Sequence, residues 1–438
     1  MLRPLANRTY RHLFAAQVVA LLGTGLMTVA LGLLAYDLAG ERAGAVLGTA
    51  LAIKMVAYVA IAPLAQALTE RLPRRAVMVG LDLVRAGVAL FLPFVTEVWQ
   101  VWLLIFLLQA ASAGFTPMFQ AVIPDILPKE EEYTRALSLS RLAYDLESLL
   151  SPALAVAALS VMSFHGLFAG TTLGFLLSAA LVLSVAIPTP APDPGAARRG
   201  IWDRTLRGSR IYFATPRLRG LFAMTLTLAA AGSMVIVNTV TIVKVGMGLG
   251  EPQVALALAA FGAGSMLAAL ALPALLDRVP DRAVMIGASA LLVLAAFAGA
   301  MVRDYPALLA LWLVTGVGFS ASLTPSGRLL RRSATSAERP ALFAAHFALS
   351  HGCWLVFYPL AGWLALRVGM PATFVTHGVL AALALAAGIR LWPPEDAAEG
   401  AGHSHPDLPP DHPHLLAHGQ GAAHRHGWLA DGLHPPRG

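Results

Sequence analysis

Long apolar stretches alternate with short polar segments along the first 392 residues. The apolar stretches cover residues 13–36, 44–68, 76–95, 99–120, 136–162, 167–187, 219–243, 253–276, 283–302, 306–327, 340–366 and 370–392. A helix needs about 20 apolar residues to cross a bilayer, and all of these stretches reach or exceed that length. The pattern predicts an all-α polytopic membrane protein with twelve transmembrane helices.

The composition supports this prediction. Of the 438 residues, 57% are hydrophobic and 13% are charged, whereas a soluble domain carries roughly 25% charged residues. Cys353 is the only cysteine, which excludes a secreted scaffold built on internal disulfides. The sequence shows no phosphate-binding loop or nucleophile constellation, so we expect a protein that is not an enzyme and has no catalytic residues.

Positive charge is divided unequally between the two sides of the predicted membrane. One set of alternate loops holds 21 Lys and Arg residues and the other holds four. Because basic loops stay in the cytoplasm, both termini are expected to face inward. The net charge of +7 is then a topology signal, and we expect no nucleic-acid partner.

A Pro-rich and basic segment over residues 188–218 separates helices six and seven. Its composition is typical of a linker rather than a span. The predicted organisation is therefore an N-terminal six-helix bundle (1–187), a cytoplasmic linker (188–218), a C-terminal six-helix bundle (219–392) and a tail (393–438).

The two bundles share an internal repeat. Residues 70–80 read ERLPRRAVMVG and residues 277–287 read DRVPDRAVMIG, an offset of 207 with seven of eleven positions identical. The same offset relates Pro152 to Pro359. Parallel duplicated bundles are one plan of secondary transporters.

With these features the chain resembles the major facilitator superfamily over nearly all of residues 1–392. The family's loop between helices two and three reads GxxxDRxGRR, and residues 66–75 here read QALTERLPRR. The resemblance implies that this loop and its repeat gate transport. An alternative is that their charges only set topology. The gating residues would be Glu70, Arg71, Arg74, Arg75, Asp277, Arg278 and Arg282.

Ionisable residues inside spans are expensive and usually face a cavity or a partner. Arg141 and Asp145 are four residues apart in helix five, a spacing that also suits a purely structural ion pair. Glu147 lacks a partner at that spacing. The resemblance implies that helices two and five are neighbours, so Lys54 of helix two is expected to supply one. We predict that these four residues belong to the transport and proton-coupling site.

Helix eleven carries His346, His351 and Cys353. With the nearby carboxylates, imidazole and thiol groups offer the donors that a borderline divalent metal accepts. Histidine also titrates near physiological pH, so the same group can carry a coupling proton. A buried histidine that is only hydrogen-bonded is the alternative. We predict a metal and proton site at mid-membrane.

The tail is rich in histidine. Its composition cannot bury a core, and flexible imidazoles at short spacing chelate transition metals. An accidental enrichment in a spacer is the alternative. The predicted metal-binding residues are His403, His405, His412, His414, His418, His424, His426 and His434.

A transporter body with such a tail resembles the nickel-resistance permeases of the same superfamily. This resemblance implies efflux of Ni²⁺, and of Co²⁺ too, by proton antiport across the bacterial inner membrane. No permanent cofactor is expected, and the partners would be the bilayer, protons and the metal. The motif PxxQxxIPD at 117–125 also occurs in drug and siderophore exporters, so proton-coupled export of a small organic compound is the alternative function.

Overall fold

The structure is a computed structural model that describes residues 2–40, 43–188, 200–394, 403–404 and 423–424. Its described part contains thirteen α-helices and one pair of two-residue strands. The helices are α1 (Arg8–Ala39), α2 (Ala43–Thr69), α3 (Arg74–Phe91), α4 (Val98–Ile126), α5 (Glu130–Leu159), α6 (Phe164–Leu183), α7 (Ile201–Ala214), α8 (Pro216–Val240), α9 (Glu251–Leu276), α10 (Asp281–Gly299), α11 (Tyr305–Arg332), α12 (Arg339–Val368) and α13 (Met370–Leu391). The strands are β1 (His403–Ser404) and β2 (Ala423–His424), which pair antiparallel.

The twelve predicted spans are all present as helices. Eleven of the described helices are long and apolar enough to cross a membrane. The twelfth span is α5, in which the segments Glu130–Ser148 and Ala153–Leu159 are bent by 44°. The prediction of an all-α fold with twelve membrane helices is confirmed.

Helix α7 lies in the segment that the sequence indicates as a linker. Its 14 residues are too short to span a membrane. Gly208, Ile211 and Tyr212 are buried at helical spacing, and a Cβ on Gly208 would lie 2.0 Å from the carbonyl oxygen of Ala341. The absence of a side chain at Gly208 therefore lets α7 pack tightly on α12. The boundaries proposed for the two bundles and the linker stay predictions.

The two halves of the chain repeat one packing plan. In the first half α1 packs on α6, α2 on α4, and α3 on α6; in the second half α8 packs on α13, α9 on α11, and α10 on α13. The halves meet mainly where α2 packs on α12 and α5 packs on α9. Small residues allow neighbouring helices within one half to pack closely. A Cβ on Gly316 of α11, for example, would lie 2.0 Å from the Phe261 carbonyl oxygen of α9.

Candidate functional site

Four residues on three helices form a group in the middle of the structure, which we call the central cluster: Lys54, Tyr58, Glu147 and His351. The Lys54 ammonium lies 5.6 Å from the centroid of the Tyr58 ring. The Tyr58 ring meets the His351 ring edge-on, with centroids 4.7 Å apart. Lys54 and Glu147 attract each other electrostatically. The central cluster therefore joins α2 and α5 of the first half to α12 of the second.

Glu147 is held against α1 by a hydroxyl and a glycine. The Ser151 hydroxyl donates to Glu147 Oε1 at 3.2 Å. A Cβ on Gly25 of α1 would lie 2.6 Å from that carboxylate oxygen and 1.9 Å from Ser151 Oγ. Among the described residues Glu147 forms no salt bridge within 4.0 Å. Protonating this carboxylate would consequently break no salt bridge within 4.0 Å in that part of the chain and would remove only its attraction to Lys54.

Asp145 has a different environment, although it lies only two residues away. It is 2% exposed and forms a salt bridge with Arg141. Ser265 of α9 donates its hydroxyl to Asp145 Oδ2 at 2.7 Å and accepts from Arg141 Nε at 2.9 Å. The Arg141 guanidinium also lies 5.1 Å from the Phe319 ring centroid of α11. The pair therefore connects the two halves of the chain.

The three predicted residues of α12 point to different neighbours. The Nδ1 atom of His346 lies 3.0 Å from the Tyr212 hydroxyl of α7. Burial raises the pKa of that hydroxyl well above its usual value, so it stays protonated and donates when the ring proton is on Nε2. His351 Nδ1 lies 2.7 Å from the Phe347 carbonyl oxygen. Cys353 is buried with Ala229, Phe357 and Ala381.

These positions do not reproduce the predicted metal site. Within the described residues no group of three or more His, Cys, Asp or Glu side chains is arranged to hold a metal ion. The physical reason is helical geometry: at 3.6 residues per turn, His346 and His351 lie about 140° apart around the axis. Asp145 is moreover already engaged by Arg141 and Ser265.

A row of aromatic side chains, which the sequence analysis missed, borders Arg141 on the second half of the chain. Its members, the aromatic row, are Phe261, Phe319, Trp354 and Tyr358. Successive ring centroids are 5.4, 6.1 and 5.1 Å apart. Trp354 and Tyr358 are partly exposed. The residues come from α9, α11 and α12, so only their spacing on α12 was visible in the sequence.

The predicted gating residues make two kinds of contact. Arg75 donates to the Val185 carbonyl oxygen at 3.4 Å, and Arg282 donates to the Trp392 carbonyl oxygen at 2.9 Å. The second pair is the repeat of the first, because both of its residues lie 207 positions further along the chain. Glu70 lies 3.9 Å from Arg204 of α7. Arg71 has an interaction partner, and Asp277 and Arg278 lie exposed at the turn after α9. Arg74 makes a hydrogen bond to the other half, to the Ser336 carbonyl oxygen.

We call the side of the membrane that carries the start of α1 and the end of α4 the basic side. Here Arg74 pairs with Asp125 at 2.7 Å and donates to the Ser336 carbonyl oxygen at 3.0 Å. Asp125 also pairs with Arg339.

A second set of contacts crosses the halves beside the first. Glu130 pairs with Arg328 at 2.6 Å and accepts from Arg332 Nε at 2.9 Å. The Tyr133 hydroxyl donates to the Gly327 carbonyl oxygen at 3.3 Å. These contacts and those of Arg141 all lie at the level of Ser265 or on the basic side of it. The structure is therefore closed on the basic side, by the predicted gating residue Arg74 together with residues that the sequence analysis did not assign to a gate.

Two of the tail histidines fall within the described residues. His403 of β1 stands opposite His424 of β2 in the antiparallel pair. The other six predicted metal ligands, His405, His412, His414, His418, His426 and His434, lie outside the described residues. Metal binding by the tail stays a prediction.

Comparison with known proteins identifies the family. The sequence pattern of the Major Facilitator Superfamily matches the chain over residues 13–250 and again over 221–428. The chain belongs to this superfamily. It is a multi-pass membrane transporter of a family of carriers rather than enzymes.

The curated relatives are exporters. Macrolide efflux protein A of Streptococcus pyogenes is 27% identical over 181 residues, which are 40% of this chain and 44% of that protein. Macrolide efflux protein A of Enterococcus faecalis is 29% identical over 152 residues, which are 32% of this chain and 47% of that protein. The matched region is less than half the length of either relative. The predicted class of efflux transporter is supported, and the resemblance to nickel permeases is not.

Two solved structures share the fold. The human organic anion transporter MFSD10 (TETRAN) has a TM-score of 0.76 and 14% identity, covering 87% of this chain and 99% of that one. The E. coli fucose:proton symporter FucP has a TM-score of 0.68 and 14% identity, covering 88% of this chain and 98% of that one. At this identity the likeness shows the fold alone.

Proposed function

We propose that the protein exports a bulky organic compound of the macrolide kind by alternating access, driven by protons. The observation that carries this proposal is the similarity to two macrolide efflux proteins, for a chain that belongs to the Major Facilitator Superfamily. It favours the organic-compound alternative of the sequence analysis over metal export. Location in a bacterial inner membrane with both termini in the cytoplasm is part of the proposal and rests on the distribution of positive charge.

The aromatic row supports an organic substrate. Small-molecule sites are concave, mostly apolar and lined by aromatic side chains with a few polar groups that fix orientation. The partly exposed rings of Trp354 and Tyr358 lie on α12, and the Phe319 ring beside them faces Arg141. We assign substrate contact to these rings.

The central cluster supports the proton step. Among the described residues, Glu147 accepts a hydrogen bond from the Ser151 hydroxyl and is attracted by Lys54. Asp145, in contrast, is fixed by its salt bridge with Arg141 and by the hydroxyl of Ser265 from the other half. We assign proton binding to Glu147 and place Lys54 as the charge that holds the empty site ionised. Asp145 and Arg141 then act as a latch between the halves, and His351 borders the cluster.

Export of Ni²⁺ or Co²⁺ is the second candidate function. The observation that favours it is the tail, which holds eight of the thirteen histidines of the chain. A transported metal would have to use the tail for loading and the body for passage. Among the described residues, the body contains no group of three or more His, Cys, Asp or Glu side chains arranged to hold a metal ion. This candidate therefore ranks second.

Drug and metal susceptibility of a bacterium that lacks its own efflux systems separates the two candidates. We expect expression of the chain to raise the inhibitory concentration of macrolides and to leave that of NiCl₂ and CoCl₂ unchanged. Trp354→Ala should lose the protection. Trp363→Ala is the matched control, because this ring is on the same helix but 56% exposed. Protection against nickel or cobalt without protection against macrolides would establish the second candidate.

A further inference from the structure

An apolar crevice opens between the two halves of the chain beneath α7. Its volume is about 440 Å³, within the range of small-molecule sites. One wall is α2, with Val59 and Ala60, and the other is α12, with Gly352 and Val356. Leu206 of α7 also lines the crevice. A Cβ on Gly352 would find only Val59 Cγ2, at 4.0 Å, so this glycine keeps the crevice open.

Helix α7 presents an unusual face beside this crevice. Trp202, Leu206 and Phe213 are 71%, 47% and 44% exposed, while the opposite face of the helix is buried on α12. Apolar side chains with Trp on one face of a short helix are typical of a helix that lies in the membrane interface. Leu206 belongs to both features, so the exposed face of α7 is continuous with the crevice.

Positive charge accompanies this apolar surface. Arg210 follows Leu206 by one helical turn and is exposed; its contact in the described residues is Asp203 on the same helix. The loops on this side of the membrane hold 21 Lys and Arg residues against four on the other. A ligand that covers the surface must therefore combine an apolar chain with a negative head, since basic residues near a membrane surface attract anionic lipids.

We propose that the crevice binds one acyl chain of an anionic phospholipid, with its phosphate beside Arg210. From Ala348 to Val356 the α12 wall is about 12 Å long. This length fits the part of an acyl chain nearest the headgroup, within one leaflet of a hydrocarbon core about 30 Å thick. The lipid would bridge α2 and α12, which belong to opposite halves. Its binding would therefore favour the state that is closed on the basic side. This inference is independent of the transported substrate.

The test is lipid retention by the purified full-length protein, measured by native mass spectrometry with phosphatidylglycerol and phosphatidylcholine added at equal concentrations. The wild type is expected to retain one phosphatidylglycerol molecule in preference to phosphatidylcholine. Gly352→Leu and Ala60→Phe fill the crevice from opposite walls. Each should weaken retention about tenfold, because every buried methylene that is lost removes binding free energy.

Matched variants separate the crevice from a general effect of added bulk or lost charge. Gly287→Leu adds the same side chain at a helical glycine with open space around it and should retain lipid as the wild type does. Arg210→Gln should reduce the preference for phosphatidylglycerol about fivefold, whereas Arg303→Gln, on the opposite side, should not. A folded Gly352→Leu or Ala60→Phe protein that retains lipid like the wild type overturns the crevice site. Equal retention of both lipids by the wild type overturns the role of Arg210, and competition by inorganic phosphate alone would replace the lipid with a free anion.

Discussion

Asp125 and Arg332 occupy equivalent positions 207 residues apart, near the ends of α4 and α11, and carry opposite charges. Each pairs with the residue 51 positions earlier: Arg74 with Asp125 at 2.7 Å, and Asp281 with Arg332 at 2.8 Å. The duplicated pair has thus been inverted in charge. Each also pairs across the halves, Asp125 with Arg339 and Arg332 with Glu130. Because of the inversion, the two halves present complementary charges where they meet.

This arrangement predicts that Asp125→Asn opens the basic side. The substitution leaves Arg74 and Arg339 facing each other without the carboxylate between them, and removing one partner of a buried pair costs about 3–5 kcal/mol. The cost falls on the closed state, in which both arginines reach Asp125. Spin labels are attached to cysteines that replace Leu72 and Arg278 in a Cys353→Ala background. The distance between the two labels, measured by pulsed electron paramagnetic resonance, should lengthen. Asp203→Asn, which removes only a surface pair with Arg210, should leave the distances unchanged, and unaltered distances in Asp125→Asn would refute the gate.

The repeat was readable in the sequence, but most of the contacts that close the basic side were not. The stretches around residues 70–80 and 277–287 revealed the duplication and placed Arg74 in a predicted gating loop. Asp125 and Glu130 are remote from that loop in the chain. Their pairing with Arg339 and Arg332 depends on the docking of two bundles, which no local pattern encodes.

The contacts of the predicted site residues could be read from the sequence only in part, and their roles stay predictions. Apolar length alone predicted twelve helices, whereas the electrostatic interaction of Lys54 with Glu147 joins two helices that are remote in the chain. The grouping of His346 with His351 failed because five residues turn a helix by about 140°. The helical pattern of α7 was overlooked because arginines and prolines dominate the composition of residues 188–218.

Gly25 should be required for the position of Glu147. Gly25→Ala places a methyl group 1.9 Å from Ser151 Oγ, and such overpacking destabilises a protein by about 1–3 kcal/mol. Thermal unfolding in detergent should show the loss. Gly32→Ala is the control on the same helix, since nothing lies within 4 Å of its Cβ, and it should unfold at the wild-type temperature or above. Equal behaviour of the two variants would mean that α1 does not hold Glu147.

Tyr212 is expected to anchor α7 mainly by its ring. Tyr212→Phe removes the hydrogen bond to His346 and should cost about 1 kcal/mol, whereas Tyr212→Ala removes a fully buried ring and should cost about 3–5 kcal/mol. Chemical unfolding followed by fluorescence measures both. Tyr36→Ala, at a ring that is 67% exposed, is the control. A loss in Tyr212→Phe as large as that in Tyr212→Ala would show that the hydrogen bond, and not the ring, anchors the helix.

The tail should bind metal without taking part in macrolide export. Calorimetric titration with Ni²⁺ is expected to give micromolar or weaker binding, because the histidines are spread over residues 403–434 and bringing them together on one metal costs chain entropy. A chain ending at residue 400 should lose that binding and keep macrolide protection. Undiminished Ni²⁺ binding by the shortened chain would place the metal site in the body instead.

Transport of a macrolide in proteoliposomes tests the central claim most directly. With a pH gradient imposed, the wild type should move the compound against its concentration, and collapsing the gradient should stop it. Glu147→Gln, which keeps the shape of the side chain but removes its proton-binding charge, should abolish the gradient-driven component. Asp37→Asn, at an exposed position of α1, should transport normally. Gradient-driven transport that persists in Glu147→Gln would contradict the account.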